Sequence, residues 1–181
     1  MGKRFPEYKT LDLSQVNKDI LKIWDKNDTF RKSVRELNGK GEFVFYEGPP
    51  SANGIPGIHH VMARTIKDAI CRYKTQCGYE IKRKAGWDTH GLPIELGVEK
   101  ALGITKEDIG TGKISIEEFN KACRIDVMKY TDQWEDLTRK MGYWINMDHP
   151  YITYDNRYIE TLWWLLKQLY SKGFLYKDYT I

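Results

Sequence analysis

The chain has 181 residues, of which 41% are hydrophobic and 30% charged, and its net charge at pH 7 is +4. These values describe an ordinary globular chain with room for one sizeable core, and they exclude a fibrous or disordered protein. No apolar run is long enough for a signal peptide or a membrane span, so we expect a cytoplasmic protein without a membrane partner. The three cysteines lack the spacing of metal ligands, and we assign no metal site.

The first predicted element is a leading helical segment over residues 1–41. Apolar residues recur at helical spacing over 14–27, and either Asp12 or Ser14 is suited to cap that helix. A turn containing Gly39 then leads into the remainder of the chain, 42–181, which we predict to be one unit.

A strand, a helix and a second strand follow in that order. Residues 42–47 predict the first strand, the helix ends near Gly78, and residues 79–84 predict the second strand. A crossover of this kind places its two strands side by side and parallel, so the loops after them open at the same edge of the sheet. The predicted fold class is therefore α/β, with parallel strands and flanking helices.

The rest of the chain predicts mainly helices. Residues 94–154 form a helical excursion, in which a capping box at 115–118 opens a long helix that stops at Gly142. A helix over 156–172 follows, and a further strand begins at Phe174. A final strand without a turn after it suggests that the chain is one segment of a longer protein.

The loop after the first strand brings two histidines to the start of a helix. Strand, tight loop and helix N-terminus are how α/β proteins bind phosphate, because unpaired amides and the helix dipole point at the anion. A lone histidine there is more often a solvated polar residue, but His59 and His60 in tandem favour a function. The dipole disfavours imidazolium until phosphate binds. We therefore expect donors to phosphate oxygens and not general bases.

The second loop places Trp87 and Asp88 close to His90. Asp88 is either a turn residue or the anchor of a substrate ammonium group, which a carboxylate binds strongly in a partly desolvated site. For His90 the structural and the functional role are equally consistent with the sequence. The basic run at 82–84 is most simply a solvated strand end, with polyanion binding as the alternative.

Two motifs at this spacing resemble a known family. Gly-Pro-Pro-Ser-Ala-Asn-Gly at 48–54 and Gly-Trp-Asp-Thr-His-Gly-Leu-Pro-Ile-Glu at 86–95 resemble the N-terminal catalytic segment of the class I isoleucyl-tRNA synthetases. The similarity extends over essentially the whole chain. It implies the first half of a Rossmann-like nucleotide-binding fold, truncated, without the second catalytic half, the editing domain and the anticodon-binding region.

The resemblance also implies which residues form the site. Gly48 and Pro49 would line the amino-acid pocket, and Asp88 would hold the ammonium group. The implied ATP-binding residues are Pro50, Ser51, Ala52, Asn53, Gly54, Gly57, His59 and His60, of which the two histidines are catalytic. Glu47, Trp87 and His90 are further candidates.

The histidine signature departs from the usual order of the family. The usual pattern is His-x-Gly-His, whereas this chain has Gly-Ile-His-His at 57–60. Glycine at the third position lets adenine pack against bare backbone, so His59 must turn aside there. We favour the interpretation that His59 supplies the phosphate contact that Gly57 cannot. The alternatives are that His60 works alone and that the site is impaired.

The implied reaction is the ATP-dependent activation of L-isoleucine to isoleucyl-adenylate, followed by transfer to tRNA(Ile). Mg²⁺ is expected on the phosphates of ATP, and zinc only elsewhere in the full-length enzyme. The lysine-bearing signature of the family does not occur in this chain, so we expect a fragment that is inactive alone. We further expect a monomer. The alternatives are another class I-like nucleotidyltransferase and a non-catalytic, synthetase-derived module that binds RNA or protein.

Overall fold

The computed structural model describes residues 9–35 and 39–179. Within these ranges the chain folds into seven α-helices and a two-stranded parallel sheet. In chain order the elements are α1 Leu13–Lys26, α2 Thr29–Arg35, α3 Ile58–Gln76, β1 Lys84–Trp87, α4 Leu92–Leu102, a 3₁₀ turn at Lys106–Asp108, α5 Ile116–Asp126, α6 Thr131–Lys140, β2 Asn146–Ile152 and α7 Asn156–Ser171. In the described part of the chain, no helix combines the length and the apolar character needed to cross a membrane.

Capping signals in the sequence fix where the helices begin. The side chain of Asp12 accepts a hydrogen bond of 3.0 Å from the N–H of Gln15, so Asp12 and not Ser14 caps α1. At α5 the predicted capping box is present in both directions, with Ser115 and Glu118 each bonding the backbone of the other. These interactions satisfy backbone donors that the first turn of a helix leaves unpaired.

The two predicted strands of the crossover pair in parallel, but only through an isolated bridge between Glu42 and Glu80. The rest of 42–47 joins no ladder, and the strand predicted over 79–84 is displaced, because β1 begins at Lys84. Alternating polar and apolar residues indicate extended backbone, but they do not say which extended residues find a partner.

The partner of β1 is β2, which the sequence did not predict. Gly86 lies opposite Tyr151 and Trp87 opposite Ile152 in this parallel pair. A methyl group at Gly86 would overlap the ring of Tyr151, so the close approach of the two strands requires glycine.

The long helix predicted from the capping box to Gly142 is wrong, because it is divided into α5 and α6. Between them the N–H of Tyr130 donates to the carbonyl oxygen of Ala52 at 3.0 Å. The helix is thus interrupted where its backbone bonds the loop that follows residue 47.

The terminal strand predicted from Phe174 is also wrong over 174–179, which form no strand and pair with neither strand of the described sheet. The predictions for residues 1–8, 36–38 and 180–181 lie outside the described residues. The part of the core nearest the two loops contains Ala52, Trp87 and Trp134, so it joins the first loop, the end of β1 and α6.

Candidate active site

The two loops that carry the sequence motifs are joined by main-chain contact. The N–H of Asp88, directly after β1, donates a hydrogen bond of 2.9 Å to the carbonyl oxygen of Pro50. The loops predicted to share one edge of the sheet therefore do meet, and the bond that joins them is independent of either side chain.

The first loop is also held by α6 and the turn before it. The indole N–H of Trp134 donates to the carbonyl oxygen of Gly54 at 2.9 Å, and Tyr130 bonds Ala52 as described above. Ser51 donates its hydroxyl proton to the side-chain oxygen of Asn53 at 2.9 Å, which closes the turn between them. Loop 48–57 is consequently fixed from both sides before any ligand binds.

His60 is oriented by the loop that precedes its helix. Its Nδ1 accepts a hydrogen bond of 2.9 Å from the N–H of Gly57, so the neutral ring carries its proton on Nε2. The ring also packs edge-on against Trp134, with 4.6 Å between ring centroids. Burial, together with the nearby His59 and Arg64, lowers the pKa of His60. The free protein thus holds a neutral imidazole with a donor at Nε2.

The exposed ring of His59 folds back towards the start of α3. A Cβ placed on Gly57 would lie 2.9 Å from Cε1 and 3.0 Å from Nδ1 of His59. The imidazole of His59 therefore occupies the space that a side chain at position 57 would need. The two rings of the histidine pair lie 3.8 Å apart between centroids.

Glu47 anchors the start of the first loop from inside the protein. Its side chain is 3% exposed and forms an ion pair with Lys67 of α3. It also accepts a hydrogen bond from the hydroxyl of Tyr143, and its carbonyl oxygen accepts one of 3.1 Å from Tyr151. Burial and the bond to Glu47 raise the pKa of Tyr143, so this phenol remains a donor. The sequence placed Glu47 near the site without indicating these partners.

The second loop is held by a threonine that no motif indicated. Thr153, directly after β2, accepts a hydrogen bond of 2.9 Å from the N–H of Thr89, and its own N–H donates to the carbonyl oxygen of Trp87 at 3.2 Å. Its hydroxyl also lies 2.9 Å from Nδ1 of His90. These contacts hold the residues on both sides of Asp88.

The predicted site residues differ in how much of each is accessible. The side chain of Asp88 is exposed, as are His59, His90, Gly48 and Gly54. Partly buried residues are Glu47, Pro49, Pro50, Ser51, Asn53, Gly57 and His60. Ala52 and Trp87 lie in the core, at 0% and 7% exposure. The structure brings the loops together and places the imidazole of His60 against Trp134, which packs in the same cluster as Trp87.

The fold is that of a class I tRNA synthetase, and the chain belongs to this family (I, L, M and V), whose model matches residues 19–181. It is 75% identical to the isoleucine–tRNA ligase of Bacteroides thetaiotaomicron and 69% identical to that of Porphyromonas gingivalis, each over the whole of this chain. The chain spans only 16% of the length of these relatives.

A solved structure shows the same fold. The chain matches the agnB2 LeuRS of Agrobacterium radiobacter K84, described in a ternary complex with tRNA and LeuAMS, with a TM-score of 0.60 and 20% identity. The match covers 94% of this chain and 19% of the other. Together with the family match, this similarity confirms the predicted class I synthetase fold, and the two-stranded parallel sheet with its helices is consistent with a truncated Rossmann-like half.

Proposed function

We propose that this chain forms the ATP- and isoleucine-binding half-site of an isoleucine–tRNA ligase. The observation that carries the proposal is the hydrogen bond between Asp88 and Pro50, which unites the two motifs in one site. The names of the relatives support isoleucine as the amino acid. The division at residue 41 between a leading segment and the catalytic half remains a prediction.

Isoleucine would bind between the two loops. Its ammonium group pairs with the exposed carboxylate of Asp88, and its side chain lies against Gly48 and Pro49. A carboxylate bonded to an ammonium group forms a shorter and stronger hydrogen bond than neutral partners do. The main-chain bond to Pro50 then sets the separation between this anchor and the pocket wall.

The triphosphate of ATP would lie at the start of α3. His60 offers Nε2–H, and His59 brings a second imidazole into the space beside Gly57. In this chain glycine stands at position 57 and histidine at position 59, the reverse of the usual order. The exchange is consistent with a working site, because the imidazole of His59 lies beside Gly57, where the usual histidine side chain would begin. The donors here are imidazoles and amides, which suit phosphate oxygens, so Mg²⁺ would reach the site on the phosphates themselves.

In the proposed reaction a carboxylate oxygen of isoleucine attacks the α-phosphorus of ATP. A new P–O bond forms, the bond to the β-phosphate oxygen breaks, and pyrophosphate leaves with that electron pair. Since the attacking carboxylate is already ionised, no general base is needed. The work of the protein is to position the reactants and to donate hydrogen bonds as charge shifts between oxygens. His59 and His60 fit that role.

The remaining steps belong to the longer protein. Transfer to tRNA(Ile), the second catalytic half, editing and any zinc site would lie in the regions that this chain does not cover. A monomeric state and a cytoplasmic location are further parts of this proposal. The segment alone is expected to show little or no activity.

The test is isoleucine-dependent exchange of pyrophosphate into ATP. The chain is joined to the remaining sequence of the 75% identical ligase, in place of the matching segment, and assayed with isoleucine, valine and leucine. We expect exchange that is strongest with isoleucine. Exchange with a different carboxylate would favour another nucleotidyltransferase. No exchange by a folded chimera would favour a non-catalytic module. Robust exchange by residues 1–181 alone would contradict the half-site.

A further inference from the structure

Thr153 is a buried residue whose contacts surround the proposed amino-acid anchor. It is 9% exposed. Its backbone N–H bonds the carbonyl oxygen of Trp87, and its hydroxyl oxygen accepts the N–H of Thr89 at 2.9 Å. Asp88 is the single residue between those two partners. Its main chain is therefore held on both sides by one threonine, in addition to its own bond to Pro50.

The hydroxyl protons in this cluster have one arrangement that satisfies every group. The oxygens of the Thr89 and Thr153 hydroxyls lie 2.8 Å apart, and the Thr89 oxygen accepts the N–H of Tyr154 at 2.9 Å. If Thr89 donates its proton to Thr153, then Thr153 donates its own to Nδ1 of His90, 2.9 Å away. The Thr153 oxygen then accepts two hydrogen bonds and the Thr89 oxygen accepts one, while each hydroxyl donates one, which is within what a hydroxyl group can form.

The reverse arrangement is less favourable. If Thr153 donated to Thr89, the hydroxyl proton of Thr89 would find no acceptor among the described residues, although Thr89 is only 7% exposed. A buried hydroxyl donor without a partner is unfavourable, because it gives up its hydrogen bond to water and gains none in the protein. His90 would then have to carry its proton on Nδ1, facing Thr153.

We propose that Thr153 is a positioning residue of the isoleucine site. It holds the backbone around Asp88 and fixes His90 as the neutral tautomer that carries its proton on Nε2. Because Nδ1 is occupied, His90 offers only a donor, in the open cleft that it lines together with Arg124 and Tyr154. The expected effect of Thr153 on isoleucine binding rests on the proposed function, whereas the expected tautomer of His90 does not.

The kinetic test compares two substitutions in the chimeric ligase described above. Thr153→Val removes the hydroxyl at nearly constant volume, and Thr153→Ser keeps it. Thr161→Val is the control, since among the described residues that exposed hydroxyl of α7 bonds the carbonyl oxygen of Arg157 and no other group. We expect Thr153→Val to raise the KM for isoleucine about tenfold in pyrophosphate exchange, with the KM for ATP unchanged. Serine should restore most of the loss.

The tautomer is measured separately, on the 181-residue chain labelled with ¹⁵N in its four histidines. Long-range ¹H–¹⁵N spectra, assigned with His90→Gln, should show His90 protonated at Nε2 at pH 8, and Thr153→Val should weaken that preference to the one a solvated imidazole shows. A wild-type His90 protonated at Nδ1 would overturn the proposal. So would an unchanged isoleucine KM in an active Thr153→Val enzyme. A wild-type enzyme without isoleucine-dependent exchange would defeat the proposed function and leave the tautomer result standing.

Discussion

The amide of Asp88 and the carbonyl oxygen of Pro50 lie 2.9 Å apart in a hydrogen bond that links the two motifs through the main chain. The carboxylate of Asp88 is exposed beyond this bond. The backbone of Asp88 thus joins the two loops, whereas its exposed side chain is accessible to a ligand. The two roles can be separated by substitutions that change only the side chain.

Replacing Asp88 should weaken isoleucine binding without unfolding the protein. In the chimeric ligase we expect Asp88→Ala to raise the KM for isoleucine by about 30-fold, since a hydrogen bond to a charged group contributes about 1.5–3 kcal/mol. The KM for ATP and the melting temperature should change little. Asp19→Ala, on the exposed face of α1, is the matched control. Unchanged isoleucine affinity would remove the proposed role of Asp88.

The helix starts and the two motif loops could be predicted because their signals are local. Asp12 and the capping box of α5 act within one turn of the chain. The pairing of β1 with β2 could not be predicted, since it depends on Gly86 meeting Tyr151 from a distant part of the sequence. The break between α5 and α6 likewise depends on a bond to the distant Ala52.

The same distinction applies to the site. His60 and Asp88 lie within recognisable motifs, so the sequence indicated them. Thr153 is a lone threonine in no pattern, and its partners become clear only once β2 lies beside β1. The partners of Glu47 come from α3 and from Tyr143, which are far apart in the chain. Residues that position others through tertiary contacts leave no periodic signal.

Glu47→Gln should destabilise the 181-residue chain although it preserves the shape of the side chain. The substitution leaves the partly buried Lys67 without its counter-charge and weakens the bond to Tyr143. Removing one partner of a buried ion pair lowers the free energy of unfolding by about 3–5 kcal/mol. Because Lys67 is partly exposed and solvent screens its charge, we expect a loss of about 2 kcal/mol for Glu47→Gln. Urea unfolding gives the free energy directly. The control is Glu42→Gln, whose pair with Lys82 is exposed and should matter little. Equal effects of the two substitutions would contradict the anchoring role.

Gly86→Ala should disturb the packing between β1 and β2. The added methyl group has no room beside the ring of Tyr151, so the strands must move apart or the ring must rotate away. Overpacking of this kind costs about 1–3 kcal/mol. Gly112→Ala is a suitable control, because nothing lies near its missing Cβ. Thermal unfolding should show a lower melting temperature for Gly86→Ala only. If both variants have the melting temperature of the wild type, the close contact between Gly86 and Tyr151 would be contradicted.

The pH dependence of stability should contain a contribution from His60. Burial first, then the nearby His59 and Arg64, lower its pKa in the folded chain below the usual 6.5. As the pH falls below 6.5 the unfolded chain takes up this proton before the folded chain does, so stability falls with decreasing pH until the folded pKa is passed. Protonation at Nδ1 of His60 also removes the acceptor of the hydrogen bond from the N–H of Gly57.

The free energy of unfolding of His60→Gln should therefore decrease less steeply than that of the wild type between about pH 7 and pH 5, measured by urea unfolding. Identical slopes for wild type and His60→Gln would show that His60 does not titrate as its surroundings require.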